Sequence, residues 1–256
     1  MRSSRSLSSD EVGGGRGGVI PPHPAPDIAT SHDDYARRFS GEVGRWFLER
    51  QKKIVLELLA PFGTCTILEV GGGHAQLTQG FVGAGHKVTV QGSDASCAAR
   101  LRRIYSERDV PFLLGPLEHM PVGDRAFDVV VTVRTMAHVD DPPAFLAECA
   151  RVARRAVLFD YPSRRSVNRF ADVFFDAKQS IERDTRRYQS FSDRDVAQWM
   201  AKAGFRPQRS IRQFFWPMAI HRFHKSEPVA GALEKVPELL GLTGALGSPV
   251  LALYVR

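Results

Sequence analysis

Residues 67–78 read ILEVGGGHAQLT and carry the sharpest chemistry in the chain. Three glycines directly follow a short apolar run. Such a loop turns tightly, lets a ligand approach the backbone and aims amide N–H groups at it. The spacing Gly71-x-Gly73 lacks the third glycine of a dinucleotide fingerprint, since Gln76 stands there. That weakens a nicotinamide or flavin reading. A second element lies 21 residues past Gly73, where Asp94 ends the run VTVQGSD. A carboxylate at that place accepts hydrogen bonds from a ribose diol. An acid before the glycines (Glu69), the loop itself and Asp94 together point to an adenosine-containing cofactor.

These residues need a scaffold, and the pattern around them supplies one. CTILEV (65–70), KVTVQG (87–92), PFLL (111–114), FDVVVTV (127–133) and AVLFDY (156–161) read as strands. Helical stretches separate them, over 42–60, to about 84, over 95–106 and over 143–152. Strands alternating with helices predict a parallel sheet covered on both faces. Farther on, 166–187 reads as a basic helix and 192–205 as a helix with Ser192 as its N-cap. PQRSIRQFF (207–215) and SPVLALYV (248–255) read as the last strands, and 217–246 as an insertion of turns and a short helix. Residues 1–30, with GGGRGG and PPHPAP, read as a disordered tail. Residues 31–256 read as one domain, with a cofactor-binding core over 61–161 and an acceptor side over 162–256.

Composition narrows the class. With 43% hydrophobic residues the chain of 256 has material for a full core, and no stretch nears the length of a membrane span. Cys65, Cys97 and Cys149 are too few for a disulfide framework or a thiolate zinc site, and they fit the reducing cytoplasm. The net charge of +7 is uneven: residues 31–150 carry −2 and residues 151–256 carry +9. A basic final third steers anions, whether a nucleic acid, a membrane surface or a small acidic substrate.

The run EVGGGHAQLT, then VTVQGSDAS, then LEHMPVGDRAFDVVVTVRTMAHVDDPPAFLAECARV and AGF, resembles the class I S-adenosylmethionine-dependent methyltransferases. The similarity is greatest to the branch that holds the quinone-biosynthesis enzymes. The resemblance runs from about residue 35 to 215. It implies a Rossmann-like, doubly wound, mostly parallel sheet of seven strands with helices on both faces and the last strand antiparallel. It implies S-adenosyl-L-methionine as cofactor and S-adenosyl-L-homocysteine as product. By motif, Glu69 would hold the methionine amino group, and Gly71, Gly72 and Gly73 would clear space for the methionyl chain. Asp94 would bind the ribose, Ala95 would pack on adenine, Leu117 and Glu118 would lie beside that ring, and Arg134 would border the sulfonium. Tyr35, Arg38 and Phe39 fall where relatives fold a lid.

The chain departs from that pattern in places. Ala75 stands at a usual glycine, Pro116 at a usual acid, and Arg154-Arg155 at a usual Pro-Gly-Gly turn. TVRTMAHV has no Asn-Pro-Pro-Tyr, against amino methylation of DNA bases. A displacement at a sulfonium asks the protein for alignment and, for O–H or N–H acceptors, a base. His138 is the first candidate, with an orienting role for the loop as its alternative. Tyr161, beside Asp160, is the second, with helix capping and packing as its alternative. Arg164, Arg165, Arg169, Arg183, Arg186 and Arg187 could grip an acceptor anion or form a solvated face. His221-x-x-His224 lacks a third metal ligand of suitable spacing, so no metal is expected. QFFWPMAIHRFHK (213–225) reads as core, pocket wall or a peripheral membrane contact. The reading is methyl transfer to a small-molecule or lipid-like acceptor, anionic or aromatic. Its rivals are an RNA methyltransferase and a cofactor-binding regulator without catalysis.

Overall fold

The computed structural model describes residues 25–167 and 188–256. Seven strands form one sheet: β1 (Thr66–Val70), β2 (Lys87–Gly92), β3 (Phe112–Leu114), β4 (Phe127–Thr132), β5 (Ala153–Tyr161), β6 (Arg206–Phe214) and β7 (Ser248–Val255). Their order is β3-β2-β1-β4-β5-β7-β6. The pairs among β1 to β5 are parallel, and β7 runs antiparallel to both β5 and β6. The expected seven-stranded, mostly parallel sheet with an antiparallel last strand is therefore present, and β7 is inserted inside the sheet rather than at its edge.

The strand order reverses between β1 and β4, which pair in register through Leu68 and Val130. Open α/β sheets bind ligands at such a reversal, beyond the carboxyl ends of the strands. The glycine loop leaves β1 at that point, and Arg134 and His138 leave β4 beside it.

The helices are α1 (Pro26–Thr30), α2 (Asp33–Arg37), α3 (Gly41–Leu59), α4 (Gln76–Gly83), α5 (Ala99–Arg102), α6 (Pro142–Val152), α7 (Asp193–Lys202), α8 (Met218–His224), α9 (Glu227–Leu239) and α10 (Leu242–Leu246). Strand alternation divides the core. Leu68, Val130, Phe145, Val157, Phe159, Tyr161 and Met200 pack on one face of the sheet. Ile54, Leu58, Ile67, Phe81, Val129, Val131 and Leu158 pack on the other, under α3 and α4. Each such side chain contributes roughly 1.5–3 kcal/mol on leaving water.

Three expectations change, and a fourth falls outside the described residues. Residues 26–30, read as tail, are helical, and Asp27 is wholly buried. The helix over 95–106 is one tight turn (Ala95–Ala98) and the short α5. The Arg102 guanidinium folds back on the carbonyls of Ser106 and Val110, which closes the segment as a loop. The insertion at 217–246 holds three helices rather than one. The basic helix over 166–187 lies almost wholly outside the described residues. Among the described residues, no helix is long and apolar enough to cross a membrane.

Candidate active site

The loop after β1 shows why it is glycine-rich. Gly71 has φ +71°, in the left-handed region where a Cβ is penalised. A methyl group on Gly72 would come within 2.6 Å of the Glu69 side chain, and one on Gly73 within 2.1 Å of Ser31 Oγ. Ala75, at the usual glycine position, takes φ +61° all the same. It bears the backbone strain that glycine would avoid, and with a small side chain it fits the turn into α4.

Glu69 lies at the floor of the loop. It is buried, and its Oε2 accepts a hydrogen bond from Thr78 Oγ1 at 2.5 Å. Burial pushes its carboxyl up to about 7, against the opposing pull of Thr78 and Arg134. Asp94 stands at the other side, exposed at the end of β2. Its Oδ1 caps the following turn by accepting from Ser96 N at 2.8 Å, and those bonds hold the carboxyl low. Ala95, next to it in the chain, and Glu118, after β3, are exposed, while the Leu117 side chain is buried in the core.

The loop after β4 brings in the third group. Arg134 has φ +64°, an uncommon conformation for a side chain of this kind. Its amide donates to Asp160 Oδ1 at 2.6 Å, and its Nη2 donates to Gln76 Oε1 at 3.1 Å. The guanidinium lies 5.1 Å from the Phe39 ring centroid and 6.0 Å from that of Tyr35. Burial raises the Asp160 carboxyl to about 6 even with Arg134 beside it. His74 packs edge-on to Tyr35 and Phe39, and burial next to Arg134 and Arg100 depresses its imidazole to about 3. It is therefore neutral at physiological pH.

A carboxylate floor, a glycine loop and an acid at the end of β2 converge on the switch point of the sheet. These residues fit the amino, methionyl and ribose parts of S-adenosylmethionine. Residues 68–159 match the family model described as a methyltransferase domain. Over this stretch the chain is similar to the class I S-adenosylmethionine-dependent methyltransferases.

Relatives agree with that family. A probable S-adenosylmethionine-dependent methyltransferase of Mycobacterium tuberculosis is 31% identical over 110 residues, which is 43% of this chain and 39% of the relative. The match thus spans well under half the length of that relative. Magnesium protoporphyrin IX methyltransferase from Synechocystis, solved with bound S-adenosylhomocysteine, has the same fold. It is 14% identical with a TM-score of 0.61, and the alignment covers 88% of this chain and 94% of that one. The 1,6-didemethyltoxoflavin-N1-methyltransferase of Burkholderia thailandensis is similar at 18% identity and TM-score 0.55, covering 93% of both chains.

Not every predicted residue lies at this loop cluster. Tyr161 follows Asp160 on β5, so it points to the opposite face of the sheet. It is 3% exposed, packs near Phe159 in the core and donates through its hydroxyl to Asp193 Oδ1 at 3.0 Å. Burial drives its hydroxyl far above the ordinary tyrosine range. It is a structural residue, contrary to its expected place among the catalytic groups. His138 is half-buried on the turn after β4, and its ring lies 5.7 Å from that of Tyr188. Arg164 turns to the Ser190 carbonyl, and Arg169, Arg183, Arg186 and Arg187 lie outside the described residues. His221 is buried with its Nε2 2.8 Å from Glu234 Oε1, so the pair with His224 is not a ligand set.

The sequence reading missed Asp27, Ser93, Gln51 and Thr135. Asp27 accepts from the amide and the hydroxyl of Ser93, both at 2.6 Å. Gln51 donates to Asp160 Oδ2 at 3.4 Å. Ser93, next to Asp94 in the motif, was the one available signal.

Proposed function

We propose that the chain transfers a methyl group to a small, anionic acceptor held where Tyr35, Phe39 and His74 meet Arg134 and Arg222. The observation that carries this reading is the concentration of positive charge on an aromatic cluster. Two guanidiniums, of Arg134 and Arg222, lie 5.1 and 5.9 Å from the centroid of one ring, Phe39. Arg38 adds a third beside Tyr35, against the buried carboxyls of Asp160 and Glu69. Arg134 Nη1 is buried without a hydrogen-bond partner among the described residues. A buried donor of this kind favours an acceptor oxygen brought by a ligand.

When bound, S-adenosylmethionine supplies a methyl group on a sulfonium that is already a good leaving group. The chain's residues then have three tasks. Glu69 holds the amino end and Asp94 the ribose, which fixes the cofactor's position. Tyr35, Phe39 and the neutral His74 exclude water from the side facing Arg134. Arg134 and Arg222 orient the acceptor for in-line attack, the entropic part of the barrier. A proton lost by an O–H or N–H acceptor passes to His138, on the rim where β4 ends.

The test follows transfer of labelled methyl from the cofactor to a panel of small carboxylates and phosphates, and to bulk RNA. Label on a small anion supports the reading, with KM for that acceptor raised about tenfold or more in Arg222→Gln and cofactor affinity kept. Label on RNA overturns it in favour of a nucleic-acid substrate. Cofactor binding with no transfer to either class favours a regulatory protein.

A further inference from the structure

We propose that α1 is a self-occluding strap lying in the cofactor's own seat, so that cofactor binding requires its displacement. The inference rests on the reading that Gly71, Gly73 and Asp94 hold the cofactor.

The C-cap of α1, Ser31, lies against Gly73, and Asp27 within α1 reaches the side of Gly71. The atoms nearest a methyl group on Gly73 are Ser31 Oγ at 2.1 Å and the Cys97 carbonyl oxygen at 2.4 Å. A methyl group on Gly71 would meet Thr135 Oγ1 at 2.7 Å and Asp27 Cβ at 3.5 Å. The missing side chains of this loop thus make room for residues 27–31 as they would for a methionyl chain. The two occupants compete for the same ground.

Asp27 is the latch. It is 0% exposed, although the flanking sequence is polar and proline-rich. Its two carboxylate oxygens accept from Ser93 N and Ser93 Oγ at 2.6 Å, and Cys97 Sγ lies 3.4 Å away. Ser93 immediately precedes Asp94, so the strap's carboxylate lies one residue from the ribose-binding carboxylate. Ser31 closes the other end. Its hydroxyl donates to the Asp27 carbonyl at 2.7 Å and is hydrogen-bonded to the Cys97 thiol. Beyond it, Asp33 pairs with Arg103 at 2.8 Å and with Arg100, which ties α2 to α5. Release therefore means lifting α1 from Ser93 while α2 stays anchored.

A strap that must open first sets both the rate and the apparent affinity. If the open state is a minority of about one in ten, the apparent Kd is weakened about tenfold. The cofactor site of this chain is then gated from within, and anything that draws α1 away switches it on.

The experiment uses the full chain and S-adenosylhomocysteine as probe, with rapid-mixing fluorescence for rates and calorimetry for Kd. In the wild type the observed association rate levels off at high ligand concentration. Asp27→Ala removes the ceiling and tightens Kd several-fold, and Asp27→Asn, which keeps the shape, acts in the same direction to a smaller degree. Ser31→Cys opposite the native Cys97, oxidised with diamide and checked by mass, loses binding and regains it on reduction. The proposal is overturned if Asp27→Ala binds more weakly than, or the same as, the wild type, because α1 would then cover a bound cofactor. It is also overturned if the cross-linked Ser31→Cys protein binds as well as its reduced form. Failure of the cofactor reading itself shows separately, as no binding by any folded variant.

Discussion

The backbone amide of Arg134 donates to Asp160 Oδ1 at 2.6 Å, across the gap between the ends of β4 and β5. That bond holds Arg134 at φ +64° and places its guanidinium against Phe39. On the proposed function Asp160 is a positioning residue, acting through the turn it fixes. Asp160→Ala leaves the amide without its acceptor, a loss of about 1–3 kcal/mol in urea unfolding. Arg134→Gly has the reverse signature. Glycine tolerates the left-handed turn, so stability holds or rises by about 1 kcal/mol, while methyl transfer collapses. A stable variant with full activity would remove Arg134 from the site.

On its proposed role, Glu69 links cofactor affinity to pH. Burial raises its carboxyl from 4.5 to about 7 in the folded chain. A raised acid stabilises the fold below its unfolded pKa, and that stability is lost as pH rises from 4.5 through about 7. Glu69→Gln is therefore more stable than the wild type at pH 8, by up to about 3 kcal/mol, and indistinguishable from it near pH 4. Thermal unfolding at the two pH values checks this. The ionised form is the one that receives an amino group, so S-adenosylhomocysteine binds the wild type more tightly at pH 8 than at pH 6. A Kd flat across that range would place the amino group elsewhere.

What the sequence made legible follows the physics of each element. The buried strands announced themselves through β-rich apolar runs, and the glycine loop with Asp94 through residue types tied to backbone shape. Asp27 was invisible because its burial depends on Ser93, 66 residues away, and its neighbours carry no apolar periodicity. Tyr161 misled because a two-residue period decides which face a strand residue joins, and the adjacent Asp160 took the site's face. In the insertion, α9 is inverted: Glu234 faces inward and Leu239 is 87% exposed.

The neighbouring candidates His138 and Tyr161 separate cleanly in kinetics. Tyr161→Phe removes one hydrogen bond to Asp193, which keeps its partner Arg212. It costs about 1 kcal/mol of stability and leaves kcat unchanged. His138→Ala keeps stability and cofactor affinity, lowers kcat and flattens the acidic limb of the pH–rate profile. The outcome against this assignment is a large kcat loss in a stable Tyr161→Phe enzyme.

Glu234 holds the insertion on the sheet. Its carboxylate accepts from Phe215 N at 2.8 Å and Trp216 N at 3.1 Å, and lies 2.8 Å from His221 Nε2. His221 in turn packs against the rings of Trp46, Phe47 and Phe214, which joins α8 and α9 to α3 and β6. Removing the acceptor strands two part-buried amides and takes away the partner of the buried His221. Glu234→Ala is expected to cost about 3–5 kcal/mol, and Glu234→Gln less, since one oxygen remains for the two amides. The residues proposed to hold the cofactor lie at the ends of β1, β2 and β4, so loosening α8–α10 lowers the unfolding temperature with little change in S-adenosylhomocysteine affinity. It disturbs the acceptor side, because Arg222 on α8 donates to the Arg38 carbonyl at 3.0 Å and lies over Phe39. A rise in acceptor KM at constant cofactor Kd in Glu234→Gln would tie the insertion to acceptor choice. Equal losses in both would make it a part of the common core.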